Sequence, residues 1–249
     1  MDLRGRAALI TGATGGLGAV IARALASEGA NVALTHLGHR DEGEAVCREI
    51  EAKGRKAVLV HLDQSDAASC EAAVEKAVGF LGRLDILVNN AAVNQPVPFQ
   101  DLDGLTPEIW DRLLSTNLRG PFLVTRAAAR HLKRQDQGRV VNVSGFPGLA
   151  PLGSSIALAV SKAGLIHLTH CLAVALAPSI TVNCVAPGLM EGTRMSSRVR
   201  PEAIAALREK AALKRTTDLD DVARQVVLFC QAESITGQTL VIDGGIVFQ

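Results

Sequence analysis

The residues best suited to chemistry near the start of this chain are glycines. Gly12, Gly15, Gly16 and Gly18 crowd into Thr11-Gly12-Ala13-Thr14-Gly15-Gly16-Leu17-Gly18. The segment follows the aliphatic run Ala7–Ile10. It precedes a helix-period set, Leu17, Val20, Ile21, Ala24 and Leu25, that Gly29 can stop. Glycines let a backbone turn sharply and approach a ligand closely. A helix starting there aims free N–H donors and the positive end of its dipole at an anion. That combination suits a pyrophosphate, so Gly12, Thr14, Gly16, Leu17 and Gly18 are candidate cofactor contacts. The GxxxGxG spacing is not GxGxxG, and an ordinary glycine-rich turn has the same composition.

The second informative place is the end of the run Asn31–Thr35. An NAD site usually offers a carboxylate there to the ribose 2′-hydroxyl. This chain instead reads Thr35-His36-Leu37-Gly38-His39-Arg40. With no acid present and basic residues at hand, a 2′-phosphate is tolerated. That points to NADP(H), with His36 and Arg40 as contacts; the competing reading leaves Arg40 merely solvated.

The elements that must hold these residues alternate regularly. Further aliphatic or β-branched runs lie at Lys56–Leu62, Leu84–Val88, Arg139–Val143, Ile180–Val185 and Thr239–Ile242. Most are apolar on both faces, as strands covered by helices above and below must be. Trp110, Leu113, Leu114 and Asn117 open one helix, and Ser161–Ala177 forms a long apolar one ending at Pro178. Repeated β-α-β alternation predicts a single α/β domain over residues 1–249: a doubly wound, seven-stranded parallel sheet with helices on both faces. Residues 189–212 read either as a substrate lid or as a surface helix.

Composition narrows the function. The chain has 26 basic and 25 acidic residues and a net charge of +1, without the clustered basic face that nucleic acid needs. The five cysteines, Cys47, Cys70, Cys171, Cys184 and Cys230, are scattered and lack CxxC spacing, so neither a disulfide frame nor a metal site is expected and a cytoplasmic setting fits. No uncharged apolar stretch is long enough to span a bilayer. The chain contains no tyrosine at all.

Together these segments resemble the short-chain dehydrogenase/reductase family, including its 3-oxoacyl-ACP reductase-like members, from Arg4 to Phe248. The family's TGxxxGxG is Thr11–Gly18. Its adenine-contacting acid corresponds to Asp63, followed by Gln64. Its NNAG motif is Asn89-Asn90-Ala91-Ala92, its tetrad asparagine Asn117, and its PG motif Pro187-Gly188, with Thr193 available to the nicotinamide carboxamide. The catalytic Tyr-x-x-x-Lys places its lysine at Lys162, which implies a second duty for that ammonium in holding the nicotinamide ribose. Four residues earlier stands Leu158, and the family's serine position falls on Gly145, with Ser144 beside it.

The resemblance therefore implies a retained Asn117 and Lys162 but neither the phenol that protonates a carbonyl oxygen nor the serine that positions it. Loss of a positioned acid costs about 10²–10⁴-fold, and loss of an oxyanion donor about 10²-fold more. Ordinary ketone reduction should be severely impaired. Ser144 and Ser155 are the nearest substitutes, and His167 and His170 read as surface or structural residues. Glu191, after the PG motif, reads as a residue at the pocket's edge, and Met190, Met195 and Phe146 either line it or belong to the core. Three functions stay open: an NADPH-dependent reductase of an activated substrate such as an iminium or conjugated alkene; a non-catalytic partner of an active paralogue; and a non-redox cyclase or lyase. The family further implies a homodimer or homotetramer acting on a small molecule.

Overall fold

The aliphatic runs become strands, the central ones shielded on both sides and the two at the edges only partly covered. The computed structural model describes residues 1–135 and 137–248. Its strands are β1 (Ala7–Ile10), β2 (Asn31–His36), β3 (Ala57–His61), β4 (Ile86–Asn89), β5 (Gly138–Val143), β6 (Ile180–Pro187) and β7 (Thr239–Ile242). They form one sheet in the order β3-β2-β1-β4-β5-β6-β7, with every neighbouring pair parallel. All of β1, β4 and β5 is buried, so covering both faces, rather than alternation, dictated the sequence there. The direction of travel across the sheet reverses between β1 and β4. A crevice opens beyond the carboxyl ends of the strands at such a switch point.

The helices are α1 (Gly16–Ser27), α2 (Arg40–Glu51), α3 (Ala67–Leu81), α4 (Pro107–Leu114), α5 (Gly120–Leu132), α6 (Ile156–Leu176), α7 (Pro201–Lys210) and α8 (Leu219–Gln231). One core lies between the sheet and α1, α2 and α8; the other lies between the sheet and α3, α5 and α6. The inward face of α1 carries Leu17, Gly18, Ile21, Ala22, Leu25 and Ala26, with Val20 and Ala24 only partly covered. The face is thus rotated from the expected one, because small residues let α1 approach its neighbours closely.

Between α4 and α5, residues Ser115–Arg119 widen into one π-helical turn, a local departure that costs helix geometry and re-aims side chains. Asn117 sits in that turn and is buried. Helix α6 begins five residues before the expected Ser161. Ser155 caps it, its hydroxyl accepting from the Leu158 amide at 3.2 Å. Leu158 therefore stands in the first turn of a helix and not in a loop. Among the described residues α6 is the one helix long and apolar enough to cross a membrane, with mean hydropathy 1.4. Half of that stretch is packed inside the domain, and Lys162 interrupts it. In the 189–212 segment α7 buries none of its residues, so this stretch does contain a surface helix.

Candidate active site

The strand-to-helix turn after β1 is built so that backbone can lie against backbone. Gly12 has φ +65, and a Cβ there would sit 2.9 Å from Ala91 Cα. At Gly18 a Cβ would collide with the Gly12 carbonyl and lie 2.6 Å from Asn90 Nδ2. Asn90 locks the turn from the other side of the switch point: its Nδ2 donates to the carbonyls of Thr11 (2.9 Å) and Gly12 (3.1 Å). The Thr11 hydroxyl accepts from the amides of Asn90 (3.0 Å) and Ala91 (2.9 Å). The Gly12 amide donates to the Thr35 hydroxyl at 3.1 Å, tying the turn to β2.

Gly15 precedes α1 without any side-chain cap, and the first turn holds no acid. The amide donors there are left for an anion. A side chain at Gly12 or Gly18 would break the close packing that shapes the turn, and with the α1 amides uncapped the residues present fit a dinucleotide's diphosphate.

Beyond β2 the expected 2′-phosphate contacts are partly engaged. His36 Nδ1 lies 2.8 Å from the Gly38 carbonyl. Arg40 pairs with Glu44 one helical turn on, Nε to Oε1 at 2.7 Å. Both side chains of this pair are solvent-facing, so the pair is easily opened. Asp63 accepts from the Ser65 amide (2.9 Å) and hydroxyl (2.6 Å) through Oδ1. Gln64 turns inward, donating to the carbonyls of Ala91 (2.9 Å) and Thr116 (2.8 Å). Its side chain braces the π-helical turn against the Ala91 loop, so any contribution to a cofactor is by support.

Asn117, Lys162 and Ser144 are each hydrogen-bonded to backbone on the other side of the crevice. Asn117 Oδ1 accepts from the Val93 amide at 2.8 Å, and its Nδ2 donates to the Val93 carbonyl at 2.9 Å. The Lys162 ammonium donates to the Val143 carbonyl at 3.0 Å, in a pocket so closed that the side chain is 6% exposed. Burial pushes its pKa down to about 8, with nearby Cys184 pulling the other way.

Leu158, one turn before Lys162 on α6, is likewise buried. The hydroxyls around this pair are committed to backbone. Ser144 donates to the Lys162 carbonyl at 2.8 Å, and Ser161 to the Leu158 carbonyl at 2.8 Å. Ser155 caps α6 as an acceptor, a bond that does not use its own proton. Gly145 is extended, and a Cβ on it would lie 3.3 Å from Pro147 Cδ and 3.6 Å from the Pro187 carbonyl. His167 and His170 face solvent on the far side of α6, their rings 5.9 Å apart. Phe146 is buried, whereas Met195 is exposed.

The PG motif ends β6. The Gly188 amide donates to the Ile242 carbonyl at 2.8 Å, and a Cβ on Gly188 would lie 2.5 Å from Thr217 Oγ1. Thr193 folds back, donating to the Met190 carbonyl at 3.0 Å, and its methyl lies 3.5 Å from where a Gly16 Cβ would stand. Glu191 is drawn to Arg208 (2.7 Å) and Thr216 (2.8 Å) at the surface.

Arg194 and Glu42 had no place among the residues singled out in the sequence. Arg194 lies across the glycine turn, donating from Nη1 to the Thr14 hydroxyl at 3.3 Å and from Nη2 to Glu42 at 3.2 Å. The available signal was a basic residue directly after Thr193.

The family model described as Enoyl-(Acyl carrier protein) reductase matches residues 12–247. The chain is a short-chain dehydrogenase/reductase. A putative ketoacyl reductase of the granaticin polyketide synthase from Streptomyces violaceoruber is 40% identical over 240 residues, covering 96% of this chain and 94% of that relative. A 3-oxoacyl-(acyl-carrier-protein) reductase from Staphylococcus aureus is 35% identical, with 96% and 97% covered. Among solved structures, a short-chain dehydrogenase from Burkholderia cenocepacia in complex with NADP superposes with TM-score 0.90 at 37% identity, covering 99% of each chain. The seven-stranded parallel sheet with helices on both faces is therefore the dehydrogenase/reductase fold over nearly its whole length.

Proposed function

We propose that this short-chain dehydrogenase/reductase binds NADP(H) across the β1–β4 switch point and reduces a small substrate already activated toward hydride, such as an iminium or a conjugated alkene. One observation carries the reading: Leu158 stands one helical turn before Lys162, where the family's Tyr-x-x-x-Lys has its phenol, and the protons of the neighbouring Ser144 and Ser161 hydroxyls are spent on backbone carbonyls. The glycine cradle and its free α1 amides support the cofactor assignment. So does the NADP held by a solved structure 37% identical to this chain. On this reading Gly145 occupies the family's serine position.

A bound reduced nicotinamide supplies hydride. The chain's own residues then set what can accept it. Leu158 has no proton to give, so a neutral ketone would have to develop alkoxide charge against hydrocarbon. An iminium carbon begins positive and ends neutral, so its reduction needs no protein acid. A conjugated alkene takes hydride at its β-carbon and its α-carbon takes a proton from water. Lys162 has one N–H on the Val143 carbonyl and would offer the others to ribose hydroxyls, the second role that the family implies. Asn117 fixes the Val93 backbone that forms the adjoining wall.

The test is a direct NADPH titration followed by assays of NADPH oxidation with cyclic imines, enals, enones and simple ketones. Binding, with turnover of the activated classes and near-background rates on ketones, is the expected result. Ketone turnover at rates usual for the family would overturn the reading, as would failure of every activated substrate.

A specific surface favours a second reading, that the chain also serves as a partner subunit. A groove of about 850 Å³ between the π-helical turn and α6 is lined by Leu114, Leu118, Phe122, Leu168 and Cys171. Phe122 is 41% exposed there, which suits burial against another copy or an active paralogue. Pulldown from co-expressed reductases tests it; a protein that stays a monomer excludes it.

A further inference from the structure

We infer that Arg194 is a diphosphate clamp that Glu42 holds in waiting. The inference rests on the NADP(H) reading and assigns a residue outside the family motifs traced above. The guanidinium lies over the glycine turn: its Nη2 is 3.4 Å and its Cζ 3.7 Å from the position a Gly15 Cβ would take. Gly15 is the residue before α1, so Arg194 hangs above the uncapped amides where a diphosphate would sit. The partners it has now are weak substitutes for phosphate: the neutral Thr14 hydroxyl at 3.3 Å and a half-exposed Glu42 carboxylate at 3.2 Å.

Glu42 is suited to release it. The carboxylate is held below the usual range first by its own backbone amide and then by His39 and Arg194. His39 Nδ1 lies 3.4 Å from the same Oε1, so Glu42 keeps a partner when Arg194 leaves. A diphosphate brings two negative charges and paired oxygens that match the planar fork of arginine better than a single carboxylate oxygen does. Arg194 follows Thr193, whose methyl already rests near Gly16. Turning the guanidinium from Glu42 onto phosphate therefore draws the segment after β6 down over the cofactor. The waiting ion pair sets a threshold, because the nucleotide must displace Glu42 before the clamp engages.

The experiment titrates NADPH and NADH, by nicotinamide fluorescence, into wild type, R194Q, R194K, E42Q and R194Q/E42Q. R194Q should weaken both nucleotides about tenfold, since the diphosphate is common to them. R194K, which keeps the charge without the fork, should fall between wild type and R194Q. E42Q should tighten both about threefold, and that gain should vanish in R194Q/E42Q. Opposite signs for two members of one ion pair are not what a merely structural role would give. Unchanged affinity in R194Q overturns the clamp. A loss confined to NADPH overturns the diphosphate assignment, because it would place Arg194 on the 2′-phosphate. An E42Q gain that persists without Arg194 overturns the waiting role. Wild type that binds neither nucleotide removes the cofactor reading and the clamp together, whereas wild-type binding with R194Q unaffected removes the clamp alone.

Discussion

The two sides of the crevice are made in opposite ways. Around β1 and β2 the wall is shaped by missing side chains: at Gly12 and Gly18 backbone packs directly on its neighbours, and the α1 amides stay uncapped. Around β5 and α6 it is shaped by side chains whose polar atoms are already used. Ser144 and Ser161 donate to carbonyls of α6, Ser155 caps it, and Lys162 is sealed against Val143. The first wall keeps unspent donors for a ligand; the second has almost none to give. On the proposed reading, nucleotide binding and proton transfer are separable properties of this fold, the first kept and the second lost.

The sharpest way to break that comparison is to restore the second wall. The double variant L158Y/G145S should gain ketone reduction by about 10⁴-fold or more, the product of a positioned acid and an oxyanion donor. The backbone at Gly145 is extended and accepts any residue, with Pro147 Cδ yielding a few tenths of an ångström. NADPH oxidation with a 3-oxoacyl thioester or a simple ketone reads the effect. No gain, with NADPH still bound, would mean that something other than these two positions silences the site.

Damage to the first wall should be nearly as costly and of another kind. G18A places a methyl against the Gly12 carbonyl and 2.6 Å from Asn90 Nδ2, within a turn that has no space to shift. A stability loss of about 2–3 kcal/mol is expected from such overpacking, read by chemical denaturation, with NADPH affinity falling in parallel. Full stability in G18A would show that the turn is looser than its close contacts imply.

The sealed lysine gives a smaller effect with a defined sign. Burial lowers the folded-state pKa of Lys162 to about 8 from 10.5. Between those values the unfolded chain binds more protons than the folded one, so this group's contribution to stability rises with pH. The burial penalty is full below pH 8 and relaxes above it. Relative to K162M, the wild type should gain about 1 kcal/mol between pH 7 and pH 9, measured by denaturant unfolding of both at each pH. The buried cysteines work oppositely at higher pH: burial raises Cys47, Cys70 and Cys184 to about 11. The comparison with K162M over pH 7–9 isolates the lysine.

The first wall was the more legible in the sequence. Glycines and an uncapped helix start are local features, and the strands announced themselves as aliphatic runs, most plainly β1, β4 and β5, whose residues are all buried. Leu158 was also legible, since position four before a lysine needs only a helix to give it meaning. Contacts made over long sequence distances were not. Gln64 bracing Thr116, Ser144 donating to Lys162, and Arg194 reaching Thr14 and Glu42 across more than 150 residues each depend on the packing of separate elements. The start of α6 was placed late because Leu, Ala and Ile around position 156 carry no boundary of their own; the Ser155 hydroxyl supplies it.

The smallest expected effect lies at the outer edge of the first wall, where choice between nucleotides is made. Arg40 spends its charge on Glu44 in an exposed pair one helical turn apart, an arrangement that solvent screens and that contributes little. That is too little to hold the guanidinium against a 2′-phosphate carrying nearly two negative charges. R40A should therefore leave NADH affinity unchanged and weaken NADPH about threefold to tenfold, as read from the ratio of their dissociation constants. Equal loss for both nucleotides would move Arg40 from choosing the cofactor to shaping α2. No loss for either would hand the choice to His36 and to the absence of any acid at the end of β2.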